Sequence, residues 1–412
     1  MGIRKMGVAM LGVALAVTVT GCVKNNDSAA GEGAAGSGKP IEVKIADDKC
    51  EVAVNTAPSG TIKFTLNNEG PARNEFEILA KDKLQIMGEI ENLAAGDKRD
   101  FTLQLEEGTY YTACKKNMVG ALVGLKEFKV TKGEAVKVNA DEQKLRDEAV
   151  TKYTAYVKDQ AGQLVDATEE FVTAYKGGDL EKAKKLYPLA RMHYERIEPT
   201  AESFGDLDPK LDEREADYQE ADDAKGREWT GWHRIEKDLW ADGKLSSEQR
   251  TKYADLLVAD TKALHKAVYA DDFKLKLDDI SNGAIGLLEE VATSKITGEE
   301  EIFSHTDLYD FQANLEGARV AYGNVQALAV KKDTELAKKI DAKMKDLEAT
   351  IASYNKAKGD GQWEFPAYTE IATAAIGLDK TPEKYTKAQK ELSDKVNALR
   401  APLAKLTESI LK

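Results

Sequence analysis

The hydrophobic repeat of this chain changes once, and that change limits the fold to a β-domain followed by a helical domain. From residue 41 to 131, apolar and polar residues alternate in short runs such as 41–45, 62–66 and 101–105. This alternation, interrupted by turn-forming residues, predicts short strands packed as a β-sandwich. From residue 141 to 412, apolar residues recur every three or four positions, which predicts a bundle of long amphipathic helices.

The length of the chain agrees with this division, because 412 residues exceed what one ordinary core holds. The clearest helical runs are 160–187, 246–277 and 333–358, which are rich in Ala, Leu, Lys and Glu. The polar stretch 132–140 marks the boundary between the domains. The net charge of -13 argues against a nucleic-acid partner, whose phosphates need a basic surface.

The N-terminus has the pattern of an export signal. Arg4 and Lys5 precede an apolar run at 6–19 that is too short to span a bilayer, so residues 1–21 are predicted to be a signal peptide. The run ends in Val-Thr-Gly-Cys, which resembles a bacterial lipobox and implies lipidation of Cys22. Residues 22–40 then read as a flexible tether. We expect the mature protein to be lipid-anchored on the extracytoplasmic face of the cell membrane.

This location affects the other two cysteines, Cys50 and Cys114, because the compartment is oxidising. They could form a disulfide or bind a metal, and their spacing leaves both alternatives open.

The end of the β-domain resembles a cupredoxin, in which a cysteine ends one strand and a loop leads to the last strand. Cys114 holds that position, and Glu75 stands where a cupredoxin usually has its first histidine. No histidine precedes His193, so the two-histidine set of blue copper cannot form within this domain. Two thiolates from Cys50 and Cys114 with the Glu75 carboxylate would suit copper, zinc or iron. The alternative is a disulfide beside solvated glutamates.

The strongest candidate site lies at 228–240, where a helix would place residues 229, 233, 236 and 240 on one face. His233 and Glu236 would then point the same way, framed by two tryptophans, and could bind one metal ion together. The alternative is an ordinary hydrogen-bonded pair on a helix. Further carboxylates precede this segment and would extend the site to suit Fe³⁺, Fe²⁺, Zn²⁺ or Mn²⁺: Glu195, Glu198 and those of the acidic loop 204–212.

These segments resemble a known family. Residues 194–212, the Gly-Trp-His-Arg-Ile-Glu motif at 231–236, and residues 290–301 and 304–314 look like the imelysin-like domain of EfeO-type iron-uptake lipoproteins. The resemblance implies a multidomain β plus all-α protein, with a cupredoxin-like β-sandwich followed by an imelysin-like helical bundle. It also implies a set of metal ligands: His233, Glu236, Glu195, Glu198 and Asp212 in the helical domain, with Glu290 a weaker candidate, and Cys50, Glu75 and Cys114 in the β-domain, with Glu89 or Glu91 less firmly.

The resemblance implies a protein that captures Fe²⁺ or Fe³⁺ and delivers it to a membrane permease, with oxidation at the cupredoxin domain and a haem peroxidase as a further partner. Iron is the expected metal, with copper or zinc as alternatives. The competing hypothesis is a metal-dependent peptidase, since imelysin relatives are classed with metallopeptidases. The zinc-peptidase motif His-Glu-x-x-His is absent from the chain, which argues against that activity.

Overall fold

The computed structural model describes residues 39–412, except 84, 118–120, 134–137, 222–225, 243, 360 and 373–383. The expected signal peptide, Cys22 and nearly all of the expected tether lie outside these residues. Within the described ranges, no helix has the length and apolar character needed to cross a membrane.

The β-domain consists of short strands joined by the predicted turns. The strands are β1 (Ile41–Ala46), β2 (Lys49–Val52), β3 (Thr56–Pro58), β4 (Gly60–Asn68), β5 (Asn74–Leu79), β6 (Ile86–Leu93), β7 (Lys98–Leu105), β8 (Gly108–Lys116) and β9 (Val123–Thr131).

The strands form two packed sheets, which confirms the predicted sandwich. One sheet has the order β2-β1-β4-β7 and the other the order β3-β9-β8-β5-β6. In β1, buried and exposed residues alternate as the sequence predicts. The inward side chains include Phe64, Phe76, Phe101 and Phe128, whose rings contact one another between the sheets.

The second domain is helical, also as predicted. Its helices are α1 (Ala140–Lys176), α2 (Leu180–Glu195), α3 (Glu198–Glu202), α4 (Leu207–Asp212), α5 (Glu215–Glu220), α6 (Trp232–Lys237), α7 (Ser247–Val268), α8 (Leu277–Thr293), α9 (Asp307–Lys332), α10 (Thr334–Ala352), α11 (Lys387–Leu403) and α12 (Leu406–Leu411).

The predicted helix at 160–187 is in fact parts of two helices. Gly178 has a φ of +80°, which ends α1 and lets α2 fold back along it. The other long predictions, 246–277 and 333–358, correspond to the shorter α7 and α10. The antiparallel pair α1 and α2 packs against α9, and together these helices bury the side chains that form the candidate site.

Helix α8 joins the two domains by packing on β6 and β7. The Arg99 guanidinium lies 2.6 Å from the Glu289 carboxylate, and Asp278 accepts the Gln104 N–H at 2.6 Å. Strand β6 contacts α8 and lines a common cavity with Glu289 and Glu290 near the C-terminal end of that helix.

Candidate metal centre

Gly231 places His233 next to the end of helix α4. Helix α6 begins directly after Gly231, whose φ of +87° is unfavourable for residues with a side chain. A Cβ atom there would lie 2.3 Å from the Leu211 carbonyl oxygen. The end of α4, with Asp212, therefore packs directly against the start of α6.

The His233 imidazole is buried among carboxylates. Its Nδ1 lies 3.1 Å from Glu236 Oε2, and its Nε2 lies 3.4 Å from Asp212 Oδ1 and 3.5 Å from Glu300 Oε1. Nε2 has no hydrogen-bond partner among the described residues, although the residue is only 1 % exposed. Burial and the charge of Arg191 lower the pKa of His233, but the hydrogen bond to Glu236 and the nearby carboxylates of Glu300 and Asp212 outweigh them and raise the pKa to about 10.

Glu236 is fixed by the backbone of a distant loop. Its Oε1 accepts the N–H groups of Phe303 at 3.0 Å and Ser304 at 2.7 Å, while Oε2 faces His233. The same loop brings in Glu301, which accepts a 2.6 Å hydrogen bond from the Ser304 hydroxyl. Burial and then the charge of Glu236 raise the pKa of Glu301 well above its ordinary value.

A buried guanidinium balances this negative charge. Arg191, on α2, is fully buried and lies 2.7 Å from Glu301 and 3.2 Å from Glu300, and it also bonds Asp212 and Glu195. Burial alone would raise the pKa of Glu300, but the charges of Lys295, Arg214 and His233 hold it well below its usual range. The arrangement resembles a cation site, because single ligand atoms of Asp212, His233 and Glu300, and separately of His233, Glu236 and Glu301, lie within 4.8 Å of one another.

A second buried cation neutralises the remaining predicted ligands. The Lys295 ammonium lies 2.6 Å from Glu195, 3.0 Å from Glu198 and 3.4 Å from Glu290. Glu198 therefore lies beside Lys295 and away from the imidazole. It still belongs to a carboxylate group in which one oxygen of each member lies within 4.8 Å of the others: Glu195, Glu198, Asp212 and Glu300. The structure thus brings together His233, Glu236 and Asp212 directly and Glu195 through Arg191.

The sequence reasoning missed four residues of the site: Arg191, Lys295, Glu300 and Glu301. The triple glutamate at 299–301 was the only local signal for the last two. It follows Gly298, whose φ of +75° turns the chain after a short 3₁₀ helix, so no helical repeat connects it to His233.

The predicted tryptophan frame is wrong. Trp229 precedes α6 and donates to the Glu213 carbonyl oxygen at 2.7 Å, because Gly231 breaks the helix between it and His233. Trp240 lies in a π-helical turn and packs on Tyr187. The fully buried Trp232 lines this region instead, stacked on Phe171 at 5.3 Å.

In the β-domain, the prediction of Cys50 and Cys114 as metal ligands is corrected by a disulfide between them. Cys50 lies on β2 and Cys114 on β8, so the bond joins the two sheets. A disulfide offers no thiolate to a metal ion. The alternative prediction, a disulfide between Cys50 and Cys114, is therefore the correct one.

Glu75 is buried, but in a carboxylate cluster rather than beside a thiolate. Glu75, Glu77 and Glu89 each place an oxygen within 4.8 Å of the others. Lys115 lies 2.6 Å from Glu77 and 3.7 Å from Glu75. Burial raises the pKa of Glu75 well above its usual value, and Lys115 opposes this effect.

Comparison with known proteins identifies both domains. Residues 149–406 match the family model described as imelysin, and residues 11–123 match the model of a cupredoxin-like domain. Among similar curated proteins are the iron uptake system components EfeO of Escherichia coli strain K12 and of Shigella flexneri. Each is 38% identical over 345 residues, which cover 83% of this chain and 87% of the relative.

Proposed function

This chain belongs to the EfeO family of iron uptake components, and we propose that it captures Fe²⁺ or Fe³⁺ at the His233 centre and delivers the ion to a membrane permease. The observation that carries the proposal is the His233 Nε2 atom, which is buried, lacks a hydrogen-bond partner among the described residues and points at Asp212 and Glu300. A buried polar atom without a partner is costly, and a cation bound there would remove that cost.

The ligand types support iron as the cargo. One imidazole nitrogen, Nε2, with carboxylates from Asp212 and Glu300 suits Fe²⁺, Fe³⁺, Mn²⁺ and Zn²⁺. Soft thiolate ligands, which select Cu⁺, are not among these groups. Arg191 keeps the carboxylates in place when the ion is absent, because it bonds several of them at once.

A peptidase is less well supported by this geometry. The side chains of His233, Asp212 and Glu300 are at most 6 % exposed, so a peptide cannot reach an ion held between them. The centre also contains one imidazole, whereas zinc peptidases of the His-Glu-x-x-His type use two.

The β-domain would contribute to iron handling through carboxylates. Iron held there would be bound by Glu75, Glu77 and Glu89, since Cys50 and Cys114 are joined. The proposal also includes lipid attachment at Cys22 and a haem peroxidase partner from the same uptake system. Cys22→Ser is expected to move the protein from the membrane fraction to the soluble fraction.

The central test is a titration of the purified protein with Fe²⁺ under nitrogen, with chelated Fe³⁺ and with Zn²⁺. We expect iron binding that His233→Ala abolishes. The matched control is His265→Ala, because His265 lies on α7 and stacks on Tyr269 away from the centre. Equal iron binding by wild type and His233→Ala would contradict the proposal, as would metal-dependent cleavage of casein.

A further inference from the structure

The His233 centre is closed to solvent, so a metal ion must reach it through a particular part of the protein. His233 is 1 % exposed, and Glu236 and Glu301 are fully buried. An acidic cavity that continues to this centre would provide such a route.

A cavity of about 420 Å³ lies between the two domains. Its wall on the β-domain includes Glu89 and Glu91 of β6, and its helical wall includes Glu202 of α3 and Glu290 of α8. These glutamates interact electrostatically across the cavity, since the charges of Glu91, Glu89 and Glu290 add to the effect of burial and raise the pKa of Glu202 well above its usual value. Eight of the ten charged residues that line the cavity are acidic, and walls dominated by one sign of charge concentrate counter-ions.

Carboxylates continue from the cavity to the metal centre without a gap. Glu202 and Glu290 share a group with Glu198, in which one oxygen of each lies within 4.8 Å of the others. Glu198 shares the next group with Glu195, Asp212 and Glu300, and the last two belong to the group around His233. A cation could therefore pass from one set of oxygen ligands to the next.

Lys295 lies at the junction between the cavity and the centre. Its fully buried ammonium contacts Glu290, which lines the cavity, and Glu195, which belongs to the inner groups. Asn314 donates to Glu195 Oε2 at 3.0 Å and to Glu198 Oε2 at 3.3 Å, which holds both carboxylates around the ammonium. The Lys295 ammonium thus occupies the position that a passing metal ion would take.

We propose that the interdomain cavity is the entrance to the His233 centre and that Lys295 is a tethered cation which the incoming metal ion displaces. This inference rests on the proposed function. Lys295 neutralises Glu195, Glu198 and Glu290 while no ion is present, which avoids the cost of buried unpaired charges. A divalent ion that reaches Glu202 and Glu290 takes over these carboxylates, and the flexible lysine side chain moves aside.

The entrance is tested by the rate of Mn²⁺ binding to the full mature chain, followed by quenching of tryptophan fluorescence in a stopped-flow instrument. Glu202→Lys reverses a charge in the cavity and is expected to slow both association and dissociation at least about tenfold, with the Kd changed less than about threefold. Glu335→Lys changes the net charge equally at an exposed residue of α10 that does not line the cavity, and its rates should match wild type.

Two outcomes separate this inference from the proposed function. If wild type binds Mn²⁺ and Glu202→Lys binds it at the wild-type rate, the entrance is overturned while the metal centre stands. If wild type binds neither Mn²⁺ nor, in the same assay under nitrogen, Fe²⁺, both are overturned.

The role of Lys295 is tested by the stoichiometry of Mn²⁺ in equilibrium dialysis. Lys295→Met leaves three carboxylates without a counter-cation and is expected to bind about one more Mn²⁺ per chain than wild type, whereas Lys295→Arg should not. If Lys295→Met unfolds without metal, excess Mn²⁺ should restore its thermal transition. An unchanged stoichiometry, or no recovery with Mn²⁺, overturns the assignment of Lys295.

Discussion

Glu236 holds His233 and the loop at 303–304 at the same time, with one carboxylate oxygen for each. Oε2 lies 3.1 Å from His233 Nδ1, and Oε1 accepts two backbone N–H groups. An imidazole whose Nδ1 is fixed in this way presents Nε2 in a defined direction, toward Asp212 and Glu300.

We expect Glu236→Gln to weaken Fe²⁺ and Mn²⁺ binding by about 10–100-fold, because the ring loses its oriented negative partner while the loop keeps an acceptor. Isothermal titration calorimetry measures the Kd, and circular dichroism checks the fold. Glu316→Gln is the matched control, since Glu316 pairs with Arg196 outside the centre. Equal affinities for Glu236→Gln and wild type would show that Glu236 has no part in metal binding.

Metal affinity should increase with pH. Because the pKa of His233 is raised to about 10, the ring of the metal-free protein is an imidazolium at neutral pH, and a metal ion must displace its proton. Metal binding releases this one proton from His233. The Kd should therefore fall about tenfold per pH unit between about pH 6 and pH 8. Titrations in buffers of different ionisation enthalpy count the released protons. A Kd that does not change with pH would contradict a protonated His233.

The strands, the main helices and the His233–Glu236 pair could be predicted because each depends on residues that are close in sequence. His233 and Glu236 are three residues apart, and α6 puts them side by side whatever surrounds them. Glu300 and Glu301 reach the same centre from an irregular loop, and no periodic pattern predicts where such a loop packs. The tryptophan frame failed because the φ of Gly231, after which α6 begins, cannot be read from hydrophobic spacing.

The cysteine alternatives could not be resolved in advance for a similar reason. Cys50 and Cys114 are 64 residues apart, and their pairing depends on how the two sheets face each other. The strand pattern predicts the two sheets but not which residues of one sheet lie opposite which residues of the other. Lys295 was overlooked because a lysine at a helix end is usually solvated, and here the acidic groups of α2, α3 and α8 bury it completely.

The disulfide should matter for stability and not for metal binding in the helical domain. Cys50→Ser with Cys114→Ser is expected to lower the free energy of unfolding of the β-domain by about 2–5 kcal/mol, because the bond restricts the unfolded chain. Urea denaturation followed by circular dichroism measures this loss, and a thiol assay of the denatured, unreduced wild type should detect no reactive Cys50 or Cys114. A parallel loss of Mn²⁺ binding at His233 would contradict the separation of the two sites.

Gly231 should be the glycine on which the metal centre depends most. Gly231→Ala forces a side chain into a φ of +87° and against the Leu211 carbonyl oxygen, which costs about 1–3 kcal/mol from backbone strain alone. We expect α4 and α6 to move apart, so that Asp212 no longer faces His233 and Mn²⁺ binding weakens. Gly323→Ala is the control, because Gly323 lies within α9 with open space around it and should gain about 0.5–1 kcal/mol. Thermal melts and dialysis measure both effects, and a Gly231→Ala variant with wild-type stability and binding would show that the contact between α4 and α6 does not position His233.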